Sequence, residues 1–247
     1  EMCIRDSFRA IRATCRGATI NVVALTVIAG GIRYYLEARE SLPEVPLVAG
    51  CPIHVGGSMD EARGRPNLLS IMTPSLHTDI SDPAERLHAI RDDTLGAKTS
   101  TAALGKSTLT RIPMNLPAPV ARSLYPLLVT LGVQSQTLLF NTLISNVAIE
   151  HGPLYFAGAK LVRVMGTGPP FDQWGAFHTV VSYGDKVSIT VTACRDMLPD
   201  PEFYAECIEA SFDDLRRATL GKPATRKKVI RKKKGAARKP PVVKLAS

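Results

Sequence analysis

Phe177–Tyr183 and Lys186–Ala193 are strand-length runs joined by Gly184-Asp185 alone, and this arrangement limits the fold more tightly than any other feature of the chain. A two-residue link with glycine is the turn of a tight β-hairpin, because glycine supplies the positive φ that such turns need. In the second run Val187, Ile189, Val191 and Ala193 alternate with Lys186, Ser188, Thr190 and Thr192. That period of two predicts one buried face and one wet face. An isolated two-stranded hairpin is marginal in water, so other elements have to cover the apolar side.

The rest of the sequence supplies them. Leu47–Ile53, Asn67–Thr73 and Thr137–Val147 are apolar or β-branched runs of strand length. Thr19 is placed to cap a helix from Ile20 to about Arg39, closed by Pro43. Asp82-Pro83-Ala84-Glu85 carries a cap, a proline at the first helical position and a reciprocal glutamate. The helix it starts reaches about Lys98 and is expected to bury Leu87, Ile90, Thr94 and Leu95. Asp200-Pro201-Glu202 starts a last helix with Tyr204, Ile208, Phe212 and Leu215 on one side. Gly56–Pro66 reads as an exposed loop and Ser100–Gly132 as two short helices. Strands and helices mix without a strict βαβ rhythm. The expected fold is therefore α+β, an α/β sandwich whose mixed, largely antiparallel sheet has helices mainly on one face.

Charge divides the chain. Eleven of its 31 Lys and Arg lie in residues 221–247, which hold no acidic residue, leaving 20 basic against 22 acidic residues elsewhere. The basic stretch has little to bury and is expected to be a disordered tail. Its composition suits nucleic acid and an anionic membrane surface alike, with a passive solubilising tail as the plain alternative. Five cysteines with no C-x-x-C pair argue against a disulfide framework or a zinc site and suit a reducing cytoplasm. The longest apolar run, Val22–Ile32, is shorter than the roughly 20 residues of a spanning helix. Glu1–Ser7 resembles a translated adapter from sequencing-library preparation, so the expected divisions are 1–7, a domain over 8–220 and the tail 221–247.

None of the five histidines (His54, His77, His88, His151, His178) has a histidine neighbour or an Asp-Gly four residues on. His151 and His178 lack a carboxylate or cysteine at ligand spacing and read as solvent-facing or hydrogen-bonded core residues, so no metal site is expected. Gly166-Thr-Gly168 lacks the third glycine of a nucleotide loop. Trp174 beside Gly175 reads as a packing residue.

Asn141-Thr-Leu-Ile-Ser145-Asn146-Val147, Gly152-Pro-Leu-Tyr155, Ala157-Gly-Ala159, Ser182-Tyr183-Gly184 and Arg195-Asp196-Met-Leu-Pro-Asp200 follow one another in an order and spacing that resemble the C-terminal half of the bacterial wax ester synthase / diacylglycerol acyltransferase family. The resemblance extends through Gly17-Ala-Thr-Ile-Asn21 and Asp79–Ile90. It implies a chloramphenicol acetyltransferase-like half, facing a second half across the active-site tunnel, and acyl-CoA as co-substrate with no bound cofactor. It also implies esterification of diacylglycerol or long-chain alcohols in an enzyme peripheral to the inner face of the cell membrane. The family's His-His-x-x-x-Asp-Gly signature is absent, so the catalytic base is expected upstream of residue 1 and this chain alone is expected to be inactive.

On that resemblance Ser145 and Asn146 are candidates for substrate binding or oxyanion support, since a hydroxyl and a carboxamide donate to developing negative charge without carrying charge. The alternative is that they end a strand and begin a turn. Asn21 is the third candidate, with a local helix cap as its alternative. Val22 stands where the family pattern has aspartate, and Ala148-Ile-Glu-His151 where it has Pro-Gly-Pro. Two rival functions stay open: acyl transfer to another acceptor on the same scaffold, and a non-catalytic binding module with a membrane- or DNA-binding tail.

Overall fold

A computed structural model describes residues 4–54, 69–103, 140–149, 152–169 and 175–221. The elements in chain order are α1 (Ile4–Thr14), α2 (Ile20–Glu37), β1 (Ala49–His54), β2 (Leu69–Met72), α3 (Pro83–Ala103), β3 (Thr142–Ile149), β4 (Tyr155–Phe156), β5 (Ala159–Lys160), β6 (Ala176–Tyr183), β7 (Lys186–Ala193) and α4 (Pro201–Leu220). The expectations for the 56–66 loop, for most of 100–132, for the start of the strand at 137, for His151 and Trp174, and for the tail fall outside the described residues.

Five strands form one mixed sheet in the order β2-β1-β3-β6-β7. β6 and β7 pair antiparallel from Tyr183–Lys186 to Ala176–Ala193, and Gly184 takes φ 58° in the turn between them. β3 pairs parallel with β6 on one side and with β1 on the other, and β1 pairs antiparallel with β2. The parallel pairings join segments far apart in sequence. Local pattern carries no signal for them.

The four helices among the described residues lie over one face. Phe8, Ile11 and Cys15 of α1 and its exit, Val22–Ala29 of α2, Leu87 and Ile90 of α3, and Leu215 of α4 share a core with Ala49, Ile144, Val180 and Val187 of the sheet. In α1 the spacing Phe8, Ile11, Cys15 is a helical stripe, and the helix begins within the adapter-like segment. α2 has 18 residues with a mean hydropathy of 1.2, enough by composition to cross a membrane. Here it is the central core helix, with Val22–Gly31 buried. Thr19 caps it as expected, accepting from the Val22 N–H at 3.3 Å.

Two expectations about faces change. Leu95 is 48% exposed, because α3 turns that residue past the edge of the core, while the charged Arg86 is only 1% exposed. The polar face of β7 is partly covered rather than fully wet, with Ser188, Thr190 and Thr192 half-buried. Residues 161–169 run across it, where Thr167 shares a hydrogen bond with Thr192 at 3.0 Å and Gly168 lies against the Phe177 ring.

Helix α4 is fixed at several points. Arg39 bonds Asp200 at 2.5 Å, and the Tyr34 hydroxyl donates to Asp214 at 2.8 Å. Asp200 consequently makes no side-chain cap of α4, since its carboxylate is turned to the arginine.

Candidate functional site: a split in the sheet beside Asn146

β3 runs through the middle of the sheet. At its start the Asn141 N–H donates to Val48 O and the Val48 N–H donates to Asn141 Oδ1, both at 2.8 Å. The β1–β3 register consists of Ala49–Thr142 and Gly50–Leu143. Gly50 is needed there because a Cβ would stand 2.6 Å from the Phe140 ring. Beyond this point β1 continues with β2 to His54, while β3 continues with β6 to the Ile149–Tyr183 pair. The two strands thus part company, and among the described residues one edge of β3 has no strand partner after Leu143. The opening faces the carboxyl ends of the parallel strands β1, β3 and β6.

Ser145 and Asn146 lie where the split begins, inside the strand. The strand continues to Ile149, so they neither end it nor form a turn. Successive strand residues point to opposite faces. Ser145 is in register with Thr179 on the face away from the helices, and Asn146 with the fully buried Val180 on the helix face. The two side chains therefore cannot converge on one atom. Asn146 Oδ1 is buried and has no hydrogen-bond partner among the described residues. Leaving such an atom unpaired costs about 1–3 kcal/mol, and native folds tolerate few of them.

Asn21 is the second residue of α2 and half-buried. Thr19 already supplies the cap, and the Asn21 side chain makes no hydrogen bond among the described residues. No hydrogen bond joins the Asn21 side chain to Ser145 or Asn146 among the described residues.

His178 is a fully buried core residue, the second of the two alternatives that the sequence left open. The Thr142 hydroxyl donates to Ala176 O at 2.8 Å, so its oxygen accepts from His178 Nδ1–H at 3.1 Å. That leaves Nε2 to accept from the Tyr204 hydroxyl at 2.7 Å. Burial pushes the imidazole pKa down to about 4, so it is neutral at pH 7. With no access to a bound substrate, it serves to tie β3, β6 and α4 together.

Two polar arrangements were not evident in the sequence. His77, in the left-handed region at φ 45°, places Nε2 3.0 Å from Asp93 Oδ2, and the same oxygen accepts from Ser75 N–H at 3.3 Å. Arg86 donates to Ile80 O at 2.8 Å and Arg33 to Thr78 O at 2.6 Å, so two guanidiniums hold the loop before α3. Burial lowers the Arg86 pKa, but the ordinary value is so high that the group stays charged. Asp82-Pro83 is a readable helix start; the inward turn of Arg86 is not, since charged helical residues usually face water.

A separate cleft of about 850 Å³ lies at the β7 end of the sheet, between β7 and α4, with Phe8 and Val27 among its walls. No group of three or more His, Cys, Asp or Glu able to hold a metal occurs among the described residues.

The family described as the WS/DGAT C-terminal domain matches residues 66–216. A Mycobacterium tuberculosis protein named as a diacylglycerol O-acyltransferase is 30% identical over 214 residues, covering 86% of this chain and 46% of that protein. The O-acyltransferase WSD of Acinetobacter baylyi is 30% identical over 194 residues, covering 78% of this chain and 40% of its own length. Among solved structures, the wax ester synthase/diacylglycerol acyltransferase from Marinobacter aquaeolei VT8 superposes with a TM-score of 0.63 at 29% identity, over 86% of this chain and 47% of that one. The chain spans under half the length of each of these relatives. The chain belongs to the wax ester synthase / diacylglycerol acyltransferase family and carries its C-terminal domain.

Proposed function

We propose that this chain is the C-terminal domain of an acyl-CoA-dependent O-acyltransferase that forms triacylglycerol or wax esters from diacylglycerol or long-chain alcohols. The observation that carries the reading is the match of residues 66–216 to the C-terminal domain of that family, in a chain that lacks His-His-x-x-x-Asp-Gly. In this reaction a base removes the acceptor's hydroxyl proton, the oxygen attacks the thioester carbonyl, and the C–S bond breaks to release coenzyme A as the thiol. The base belongs to the part of the enzyme that this chain does not contain.

This domain's share is the wall of the cleft. Asn146 stands where β1 and β3 separate, and its carboxamide offers an uncharged donor to the oxyanion and an unpaired oxygen to a hydroxyl or amide of the substrates. Ser145 serves the opposite face, and Asn21 supports substrate from the first turn of α2. The free edge of β3 presents backbone donors and acceptors that suit an extended amide-bearing arm such as that of acyl-CoA. The enzyme works at the inner face of the cell membrane, where residues 221–247 meet an anionic membrane or lipid-droplet surface.

The test is product analysis. The complete enzyme, given a labelled long-chain acyl-CoA, is expected to form labelled ester with diacylglycerol, hexadecanol or both. A soluble, folded, complete enzyme that makes neither ester contradicts the proposal, and ester on some other acceptor reassigns the substrate.

A further inference from the structure

Among the described residues, exposed large apolar side chains concentrate between β3 and β6. Gly152–Lys160 is exposed throughout, with Phe156 at 83% and Tyr155 at 63%, and Val162 and Met165 follow at 70% and 67%. Tyr155 and Phe156 form β4, paired with Lys160 and Ala159 of β5. Ala157 and Gly158, at φ 48° and 81°, make the turn between them. This double left-handed geometry is that of a tight two-residue hairpin, and an alanine there is strained. The base is fixed to the body: Leu161 N–H donates to Leu154 O at 2.8 Å, and Leu154 N–H to the Tyr183 hydroxyl at 2.9 Å.

From this geometry we propose that the β4–β5 hairpin inserts into an anionic lipid surface, the phase that holds the acceptor; the inference rests on the function proposed above. The residues are layered by depth. The tip, Phe156-Ala157-Gly158-Ala159, is wholly apolar. One step back the amphipathic Tyr155 faces Lys160, and behind them come Leu154, Leu161 and Arg163. At about 3.3 Å per residue the tip stands roughly 10 Å beyond the Leu154–Leu161 bond, the depth to which interfacial elements enter the boundary between headgroups and acyl chains. Aromatic and basic residues at that boundary are favourable, and no acidic residue occurs from Gly152 to Pro169. Tyr155 and Phe156 are adjacent on a strand and point to opposite sides of the hairpin. A flat protein surface buries only one such side, whereas lipid encloses both.

The experiment uses the whole 247-residue chain carrying Trp174→Phe and Phe156→Trp, so that the only indole reports on the tip. Phosphatidylcholine vesicles containing phosphatidylglycerol and diacylglycerol should shift its emission to the blue, and brominated acyl chains should quench it. In high salt, which suppresses the pull of the basic tail, Phe156→Ser in the otherwise unaltered chain should partition about tenfold more weakly than the parent, the effect of removing one buried phenyl group. Absence of quenching, or equal partitioning of Phe156→Ser, overturns the proposal. So does an indole already blue-shifted before vesicles are added, because another protein surface then covers the hairpin. Ester synthesis from a water-soluble short-chain alcohol by the complete enzyme, measured in parallel, separates failure of the hairpin assignment from failure of the acyltransferase reading.

Discussion

Replacing Gly31 by alanine sets two effects against each other, and the structure decides the sign. Inside a helix the change gains about 1 kcal/mol of intrinsic propensity. At this position a Cβ would stand 2.7 Å from Ile208 Cγ1, 3.1 Å from Ile208 Cα and 3.2 Å from Ile208 N. The first contact can be relieved by rotating a side chain; the other two are backbone, so α2 and α4 have to move apart. α4 resists, because Arg39–Asp200, Tyr34–Asp214 and Tyr204–His178 all fix its distance from α2 and the sheet. Overpacking of this kind costs about 1–3 kcal/mol, so the net effect is a loss near 1 kcal/mol, or about 2–4 °C in Tm for a domain of this size. Gly96 is the control, since a Cβ on it meets nothing within 4 Å and its place in α3 should reward alanine. Thermal unfolding followed by circular dichroism should show Gly31→Ala melting below the parent and Gly96→Ala above it. A Gly31→Ala protein as stable as Gly96→Ala would refute the close approach of α2 and α4.

Burial holds the His178 pKa near 4, below the 6.5 of an exposed imidazole, so the unfolded chain takes up a proton first as pH falls. Its contribution, about 3 kcal/mol, is complete above pH 6.5 and is lost between pH 6.5 and 4; His178→Gln should lessen that slope in urea titrations, and an unchanged slope contradicts the assignment. Burial pushes the Cys51 thiol up to about 12 and the Cys207 thiol up to about 11, while Cys194 is partly exposed. Brief iodoacetamide treatment of the native chain should therefore label Cys194 and spare the other two in peptide mass maps, and equal labelling of Cys51 would show that its burial is wrong. In the complete enzyme Asn146→Ala should lower kcat by about 10²–10³ and Ser145→Ala far less, because only one of two adjacent strand residues can face the reacting carbonyl. Equal kcat for Asn146→Ala and the parent removes Asn146 from the site.

The local elements were readable because their signals are local. Gly184-Asp185 set the β6–β7 hairpin, and Thr19 capped α2 where its hydroxyl predicted. For His178 the lack of ligand-type neighbours left two readings, solvent-facing or hydrogen-bonded core, and the structure selects the second. What escaped the sequence depends on distant segments. The parallel β1–β3–β6 arrangement, the inward turn of Arg86 and the covering of β7 by residues 161–169 each require a partner more than a local stretch away. Of the candidate site, the motif singled out Ser145 and Asn146 as candidates but not their direction, and only the continuation of β3 to Ile149 shows that they point to opposite faces.

The location of the base tests the account most directly. Acyl transfer from a long-chain acyl-CoA to hexadecanol or diacylglycerol should be undetectable with residues 8–220 alone and appear when a folded segment bearing His-His-x-x-x-Asp-Gly is joined or added upstream. Turnover by residues 8–220 on their own would contradict the account, as would a complete protein whose activity survives replacement of both histidines of that segment.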